Sequence, residues 1–372
     1  MHDIYYIVPA FLMSLLVASL LYKPIFRFAC KHDVYDNPEA RKLQHRPVPV
    51  MGGFVIFIAT IVSLLCYWPI RDITPLLPVM TAMLLMLIVG ARDDRRGLSP
   101  SLRFVIEVVV VVALALVCES PINDLHGLWG IHELSPWIAW PLTVVSCVGI
   151  INAINMIDGI DGLSSGMCAI ALSSLSWVAF VSHDFVHAAF GATLVGGIIP
   201  FLIMNVFSRK AKMFIGDAGT MMVGIGVCEM LMVLLTHDSL ATKHFDVKDF
   251  NLIAFALAIL SIPVFDTIRV MIGRISRGCS PFKPDKTHLH HAFIAYGFHH
   301  LEAALLEIIL NMLIVFFWKM IEFSHLPVAW QLYGVLVAGF GVTYGVYGML
   351  MRNTENQDEK VKQSETVQPM HR

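Results

Sequence analysis

The sequence predicts an all-α, polytopic integral membrane protein with ten or eleven transmembrane helices. Of its 372 residues, 57% are of the apolar types AVILMFWYC and only 15% are charged, and the mean hydropathy is +0.70. This composition is typical of polytopic membrane proteins and excludes an ordinary soluble domain. A helix that crosses a bilayer needs about 20 mostly apolar residues. Eleven such runs follow one another, near 4–28, 53–69, 75–91, 103–119, 137–156, 162–181, 187–206, 216–236, 250–272, 302–322 and 328–351.

The basic residues orient these helices. If the N-terminus is outside, only Arg71, Lys243, Lys248 and Lys319 of the 26 Lys and Arg residues lie on the outer side. Because Lys and Arg concentrate in cytoplasmic loops, this asymmetry predicts an outside N-terminus and inner loops that face the cytoplasm. Residues 1–351 are expected to form a single transmembrane catalytic domain. The polar segment 352–372 lacks periodicity and is predicted to be a disordered cytoplasmic tail.

The second inner loop carries an adjacent pair of carboxylates, Asp93 and Asp94, directly after an apolar run. Two such groups repel each other unless a cation lies close to them. The pair therefore indicates magnesium binding or a general base. The alternative is an exposed acid pair that is neutralised by the neighbouring arginines.

The third inner loop places four oxygen-bearing side chains at three-residue steps: Asn152, Asn155, Asp158 and Asp161. Such side chains favour a hard cation, a phosphate bound through it, or both. Helix capping is the alternative interpretation. Four residues are more than capping requires, so we favour a functional site.

The last two inner loops add an acid and a basic cluster. A Gly-Asp-x-Gly turn at Asp217 opens a helix, where an acid lies beside free backbone N–H groups or acts as the N-cap. In the fifth loop, His288 and His290 are two residues apart, a spacing that helical zinc pairs do not use. With the flanking lysines, the histidines favour binding of phosphate and sugar hydroxyls.

The inner loops together hold the groups of a magnesium-dependent phosphoryl-transfer site. A membrane transporter is the rival class, because it would also explain many helices and buried charge. Transporter sites usually lie near the middle of the membrane, however, whereas these polar residues concentrate on one face. Nothing in the composition or the net charge of −2 indicates a nucleic-acid partner.

Five motifs in order resemble one family. They are Pro-Val-Met-Gly-Gly at 49–53, the Asp93–Asp94 pair, the Asn/Asp motif at 152–163, Phe-x-Gly-Asp-x-Gly at 214–219 and His-x-His-His at 288–291. Together they are similar to the motifs of the polyprenyl-phosphate N-acetylhexosamine-1-phosphate transferases, glycosyltransferase family 4. The resemblance spans residues 4–350. The His-x-His-His pattern looks like the WecA/TagO branch. MraY, the relative that makes lipid I, typically has three consecutive histidines.

The resemblance implies an activity. Undecaprenyl phosphate would attack the β-phosphorus of UDP-GlcNAc at the cytoplasmic face of a bacterial inner membrane, giving undecaprenyl-diphospho-GlcNAc and UMP, the first membrane step of a cell-envelope glycan. It implies Mg²⁺ as the cofactor, with Mn²⁺ as an alternative ion. UDP-GalNAc and UDP-MurNAc-pentapeptide remain alternative donors, and a homodimer remains open.

The resemblance also assigns roles. Asp217 and Asn155 would bind the metal, and Asp93 and Asp94 would lie at the attacking lipid phosphate, with Asp93 as the base. Asp161 would meet the uracil and Phe214 would stack on it. The remaining residues carried over are Asp158 and His290, with catalytic roles, and the substrate-binding Asn152, Arg277, Lys286, His288, His291 and His45, which stands where the lipid-I branch has a lysine.

Overall fold

All eleven predicted apolar runs are helical in the computed structural model, which describes residues 4–38, 46–69, 71–246, 249–281 and 285–367. The membrane helices are α1 (Ile4–Lys31), α2 (Gly52–Tyr67), α3 (Leu77–Arg96), α4 (Pro100–Val117), α5 (Pro136–Met156), α6 (Leu163–Val181), α7 (Phe185–Phe207), α8 (Gly216–Leu235), the pair α10 (Leu252–Ile259) and α11 (Ser261–Ser276), α13 (His300–Phe323) and α14 (Ala329–Val367). Two shorter helices are α9 (Leu240–His244) and α12 (Leu289–Tyr296), and single 3-10 turns cover Thr74–Leu76 and Leu128–Gly130.

The predicted polytopic architecture is confirmed, and two of its predicted crossings are irregular: the bent α10–α11 pair and the short helix α2. Within the described ranges, nine helices are long and apolar enough to cross a membrane, and the α10–α11 pair makes a tenth. The remaining predicted crossing, α2, is apolar but has only 16 residues. The protein is therefore a multi-pass membrane protein.

Helix α8 lies at the centre of the bundle and packs against α2, α3, α5 and α6. Two glycines bring its inner end into backbone contact with its neighbours. A Cβ atom on Gly90 of α3 would lie 2.4 Å from the Cα atom of Ala218, and one on Gly53 of α2 would lie 2.5 Å from that of Gly219. Small residues allow this close approach between membrane helices. Because Asp94 lies one turn beyond Gly90 on the same face of α3, the contact carries Asp94 to the start of α8.

A break at Leu260 bends α10 and α11 by 76°. Such a break frees backbone polar groups, which must find other partners inside a membrane protein. Asn311 of α13 supplies them, since its Nδ2 donates to the Ile259 carbonyl at 3.1 Å and its Oδ1 accepts from the Ile262 N–H at 2.9 Å. A side chain inserted in this way fixes the bend, which directs α11 towards the histidine motif.

Short extended segments tie the first inner loop to the fourth. Strands β1 (Tyr35–Asp36) and β2 (Val48–Pro49) pair antiparallel, with Tyr35 opposite Pro49. The Phe214 N–H donates to the Pro49 carbonyl at 2.8 Å, and the Phe214 carbonyl accepts from the Gly52 N–H at 2.9 Å. The two loops therefore form one backbone-bonded unit at the start of α8.

The C-terminal segment differs from its prediction. Helix α14 continues to Val367, whereas the composition predicted a disordered tail from residue 352. The added stretch contains no glycine or proline and is rich in Glu, Gln and Lys, which have high helix propensity. Low hydropathy therefore ends the apolar run but does not end the helix.

Candidate active site

A cavity of about 1090 Å³ opens at the end of the bundle where all five predicted inner loops meet. The structure brings together there eleven of the residues that the sequence singled out. They are Asp93, Asp94, Asn152, Asn155, Asp158, Asp161, Phe214, Asp217, His288, His290 and His291. Residues separated by nearly 200 positions in the sequence thus line one cavity, which agrees with the prediction that they lie on one face of the membrane.

Asp94 caps the N-terminus of α8 from the neighbouring helix. Its Oδ1 accepts from the Asp217 N–H at 2.9 Å, and its Oδ2 accepts from the Ala218 N–H at 3.1 Å. The first N–H groups of a helix have no partner within the helix, and a carboxylate satisfies them well. The interpretation of Asp217 as the N-cap was therefore wrong, because Asp217 lies in the first turn and Asp94 does the capping.

Gly216 allows this cap to form. Its φ of +72° is favoured only for glycine, and a Cβ atom there would lie 2.6 Å from Asp94 Oδ2. Asp217 then projects from the first turn of α8 into the cavity. Asp94 thus acts on the backbone that carries Asp217, and both of its carboxylate oxygens are engaged there.

Asn155 and Asp217 are in direct contact. Asn155 Nδ2 donates to Asp217 Oδ1 at 2.6 Å and to Thr220 Oγ1 at 2.8 Å. These two bonds fix the orientation of the amide, so that its oxygen faces the neighbouring helix α4. The two residues predicted as metal ligands are therefore neighbours, and Thr220 is an additional partner of the amide.

Arg103 and Glu107 of α4 are site residues that the sequence analysis missed. Arg103 Nη2 donates to Asn155 Oδ1 at 2.7 Å, and its Nε donates to Glu107 Oε1 at 3.0 Å. Glu107 is wholly buried and its Oε2 accepts from Asn152 Nδ2 at 2.5 Å. Asn152 is therefore held by a carboxylate inside the protein. An Arg and a Glu four residues apart in an apolar run were the available signal, because buried ionic groups need each other.

Asp161 and Phe214 both lie beside Lys212 in the lining of the cavity. Asp161 Oδ2 lies 2.5 Å from Lys212 Nζ and 3.4 Å from His300 Nδ1. Lys212 Nζ also lies 5.5 Å from the centre of the Phe214 ring. Burial raises the pKa of Asp161, but His300 and Lys212 outweigh burial and hold this pKa below its ordinary value. Asp161 is therefore an anion at neutral pH, and Lys212 is a second cation that the sequence analysis missed.

Asp158 lies between Asn155 and Asp161 in the sequence, and burial removes much of the water around its carboxyl group. Burial raises the pKa of its carboxyl to about 7, against a smaller opposing effect of the hydrogen bond from Ser164 Oγ. A raised carboxyl pKa means that the folded state holds the proton more tightly than the unfolded state. Between the ordinary pKa of 3.8 and about 7, the folded protein therefore loses stability as the pH rises.

We expect Asp158→Asn to remove this pH dependence, because the amide carries no proton to lose. The fall in the thermal unfolding midpoint between pH 5.5 and pH 8 should be smaller for Asp158→Asn than for the wild-type protein in the same detergent. Thermal unfolding by intrinsic fluorescence measures it. Parallel curves for the two proteins would contradict a titrating Asp158.

The three histidines of the fifth loop lie against the third loop. His288 Nδ1 is 2.8 Å from Asp266 Oδ2, and the His288 and His290 rings are stacked with centroids 5.6 Å apart. Burial lowers the pKa of His290 well below its ordinary value, and burial with the neighbouring His288 lowers that of His291 to about 4. His290 and His291 are therefore neutral at pH 7 and offer uncharged imidazoles to a ligand.

Comparison with known proteins places the chain in a family. A sequence profile described as glycosyl transferase family 4 matches residues 76–235. A probable undecaprenyl-phosphate N-acetylglucosaminyl 1-phosphate transferase of Bacillus subtilis (strain 168) is 30% identical over 295 residues, 79% of each chain. The chain belongs to glycosyl transferase family 4. The family resemblance of the motifs is thus confirmed, and the protein is a phospho-sugar transferase enzyme.

Other family 4 relatives cover more of the chain. An undecaprenyl-phosphate α-N-acetylglucosaminyl 1-phosphate transferase of Salmonella typhi is 27% identical over 355 residues, 91% of each chain. A protein of the same name from Escherichia coli (strain K12) is 26% identical over 350 residues, 91% of this chain and 90% of its own. These names agree with the WecA-like branch that the His-x-His-His pattern indicated.

Two residues predicted for this family 4 site, Arg277 and Lys286, lie outside the cavity lining. Arg277 is 56% exposed and lies 3.4 Å from Asp285, and Lys286 is exposed; neither lines the cavity. His45 lies outside the described residues. Arg274 lines the cavity instead and binds both Asp285 oxygens, at 3.0 and 3.1 Å. Arg274, in the last turn of α11, thus holds the turn of the following loop, where its Nη1 also donates to the Pro281 carbonyl at 2.7 Å.

The donor atoms fit a cation that is bound only partly by protein. Among the described residues, no group of three or more His, Cys, Asp and Glu side chains is arranged to hold a metal ion. Mg²⁺ usually takes one or two carboxylates together with waters and substrate phosphates. Asp217, beside Asp93, matches that smaller requirement, while the Asn155 oxygen is engaged by Arg103 and the Asn155 nitrogen faces Asp217. The predicted ligands therefore suit magnesium that arrives with a diphosphate.

Gly159 makes room for His290. A Cβ atom at position 159 would lie 2.2 Å from His290 Nε2, and His290 is fully buried. We expect Gly159→Ala to displace the His290 ring, to cost about 1–3 kcal/mol of stability as overpacking does, and to lower transferase activity. Gly149→Ala on α5 is the matched control, because no atom lies within 4 Å of its added methyl group. Equal activity of both variants would contradict a role for His290 in the site.

Proposed function

We propose that this family 4 enzyme transfers N-acetylglucosamine 1-phosphate from UDP-GlcNAc to undecaprenyl phosphate and releases UMP. The proposal includes Mg²⁺ as the cofactor, the cytoplasmic face of a bacterial plasma membrane as the location, and an N-terminus outside. The observation that carries it is one cavity at one end of the bundle, whose lining holds the acidic group Asp93 and Asp217 beside the Asn155 amide, and also holds Asp161, Lys212 and Phe214. The names of the relatives support the sugar and the lipid.

The nucleophile needs little activation. A phosphate monoester has a second pKa of about 6, so undecaprenyl phosphate is largely dianionic at pH 7. The greater barrier is the approach of two polyanions, which positioning and charge neutralisation reduce. Arg103 and Lys212 supply positive charge in the lining of the cavity, as do Arg46, Arg209, Lys210 and Arg274. Magnesium bound at Asp217 and Asn155 would neutralise the diphosphate and stabilise the leaving UMP.

Asp93 is the proposed contact to the attacking phosphate. Its Oδ1 accepts from the Leu98 N–H at 2.7 Å, and its Oδ2 lies 3.5 Å from Arg103 Nη1. The side chain is thus held in place while its second oxygen faces the cavity. Asp93 takes a proton only from the minor, singly charged form of the lipid phosphate. A direct displacement at the β-phosphorus follows, and trapping of a covalent enzyme intermediate would contradict it.

Release of UMP by the purified protein tests the proposal. We expect UMP from UDP-GlcNAc with undecaprenyl phosphate, loss of the signal with EDTA, and recovery with Mg²⁺. UDP-GalNAc and UDP-MurNAc-pentapeptide in parallel test the donor. Turnover with one of these and not with UDP-GlcNAc would reassign the sugar. UMP release that is insensitive to EDTA would contradict the metal assignment.

A further inference from the structure

Arg103 connects the acidic group of the site to both amides of the third loop. Its Nη2 donates to Asn155 Oδ1 at 2.7 Å and to Asn152 Oδ1 at 3.3 Å, and its Nη1 lies 3.5 Å from Asp93 Oδ2. The side chain is only 17% exposed, so water and salt screen these contacts weakly. The Asn155 oxygen that Arg103 binds is one of the atoms proposed to hold the divalent cation.

Glu107 gives the same guanidinium a second, independent partner. It lies one turn further along α4, where its Oε1 accepts from Arg103 Nε at 3.0 Å. Its other oxygen is bonded to Asn152. Rotation at the end of the Arg103 side chain can therefore move Nη2 away from Asn155 while Nε stays on Glu107. A buried carboxylate is costly without a paired charge, which keeps Arg103 on α4 in either position.

We infer that Arg103 and the divalent cation compete for Asn155, and that Glu107 retains Arg103 when the cation binds. The inference rests on the proposed function, since it takes Asn155 and Asp217 as metal ligands. A guanidinium beside Asn155 repels a divalent cation and weakens its binding. Substrate phosphates offer Arg103 new acceptors and offset the repulsion. Cation and nucleotide binding are therefore linked, and each strengthens the other by the same factor.

Binding of Mn²⁺ to the full-length protein in detergent tests this competition. The free Mn²⁺ signal in electron paramagnetic resonance gives the affinity, with and without UMP. We expect Arg103→Met to bind Mn²⁺ about tenfold more tightly than wild type without UMP, and to gain less from UMP, within the usual range of such coupling. Glu107→Gln should bind Mn²⁺ more weakly than wild type, because Arg103 loses its alternative partner. Arg95→Met is the matched control, since Arg95 is exposed and does not line the cavity; it should behave as wild type.

Two results would overturn the competition. One is Mn²⁺ binding by Arg103→Met that equals or falls below wild type without UMP. The other, which serves if Arg103→Met fails to fold by its thermal unfolding curve, is Glu107→Gln binding as tightly as wild type or more tightly. Wild-type protein that binds no Mn²⁺ even with UMP would overturn both the competition and the metal assignment. If Mn²⁺ binds as expected but the enzyme releases no UMP from UDP-GlcNAc, the result would count against the proposed donor and not against the competition.

Discussion

Asp217→Ala is expected to abolish UMP release, by at least about 10³-fold, the scale on which charge stabilisation acts in phosphoryl transfer. Asp217 contacts Asn155 at 2.6 Å and supplies the carboxylate of the proposed cation site. Without this carboxylate, the site would hold the cation more weakly, and the negative charge of the diphosphate would be neutralised less. A radiolabelled UDP-GlcNAc assay measures the loss, and the thermal unfolding midpoint shows whether the variant is folded.

Asp93→Asn is the matched comparison for this experiment. It removes a carboxylate from the same wall of the cavity but leaves the Asn155–Asp217 contact in place. Because the lipid phosphate is already largely dianionic at pH 7, we expect a residual rate, with a loss of about 10²-fold at the lower end of general-base effects. Complete loss in both variants would contradict the division of roles between metal ligand and base.

Asp94→Ala is expected to act through Asp217, with a large effect on both stability and activity. The variant loses two charge-assisted hydrogen bonds at the start of α8. The loss of a helix cap costs about 0.5–2 kcal/mol. The first turn of α8 then carries Asp217 with less restraint, so UMP release should fall nearly as far as in Asp217→Ala. The same assay with a thermal unfolding scan checks both parts.

Asp94→Asn separates this positioning effect from a direct chemical role. An asparagine keeps one oxygen for the α8 N–H groups but has no negative charge. We expect it to recover part of the stability and activity that alanine loses, and to raise the Mg²⁺ concentration needed for half-maximal rate. Full stability combined with no activity would instead place the Asp94 carboxylate at the reacting phosphate.

The membrane architecture and the location of the site could be predicted because they depend on simple physical rules. Apolar runs mark helices that face lipid, and Lys and Arg mark the inner loops. Those rules placed Asp93, Asn155, Asp217 and His290 on one face, and the structure brings them into one cavity. The roles of the individual residues stay predictions, since only the variants above distinguish a ligand from a base.

Contacts between distant helices could not be predicted in the same way. Arg103 was counted only as a topology-determining charge, because the sequence does not show that α4 lies beside Asn155. Asp94 was assigned to the substrate, because its capping of α8 depends on the Gly90–Ala218 contact between helix backbones. In both cases the side chain acts on a residue more than 50 positions away in the sequence. The local residue pattern does not show which distant residues will be in contact.

The attachment of the fifth loop has a consequence for changing the donor sugar. His288 is anchored to α11 through Asp266, and the turn of the loop is held by Arg274 on Asp285, while the acidic residues Asp93 and Asp217 lie on α3 and α8. The loop proposed to contact the sugar and the acidic group proposed to act on phosphate thus have separate supports. A library confined to the loop after α11 is therefore expected to change sugar selectivity while it leaves the acidic group in place.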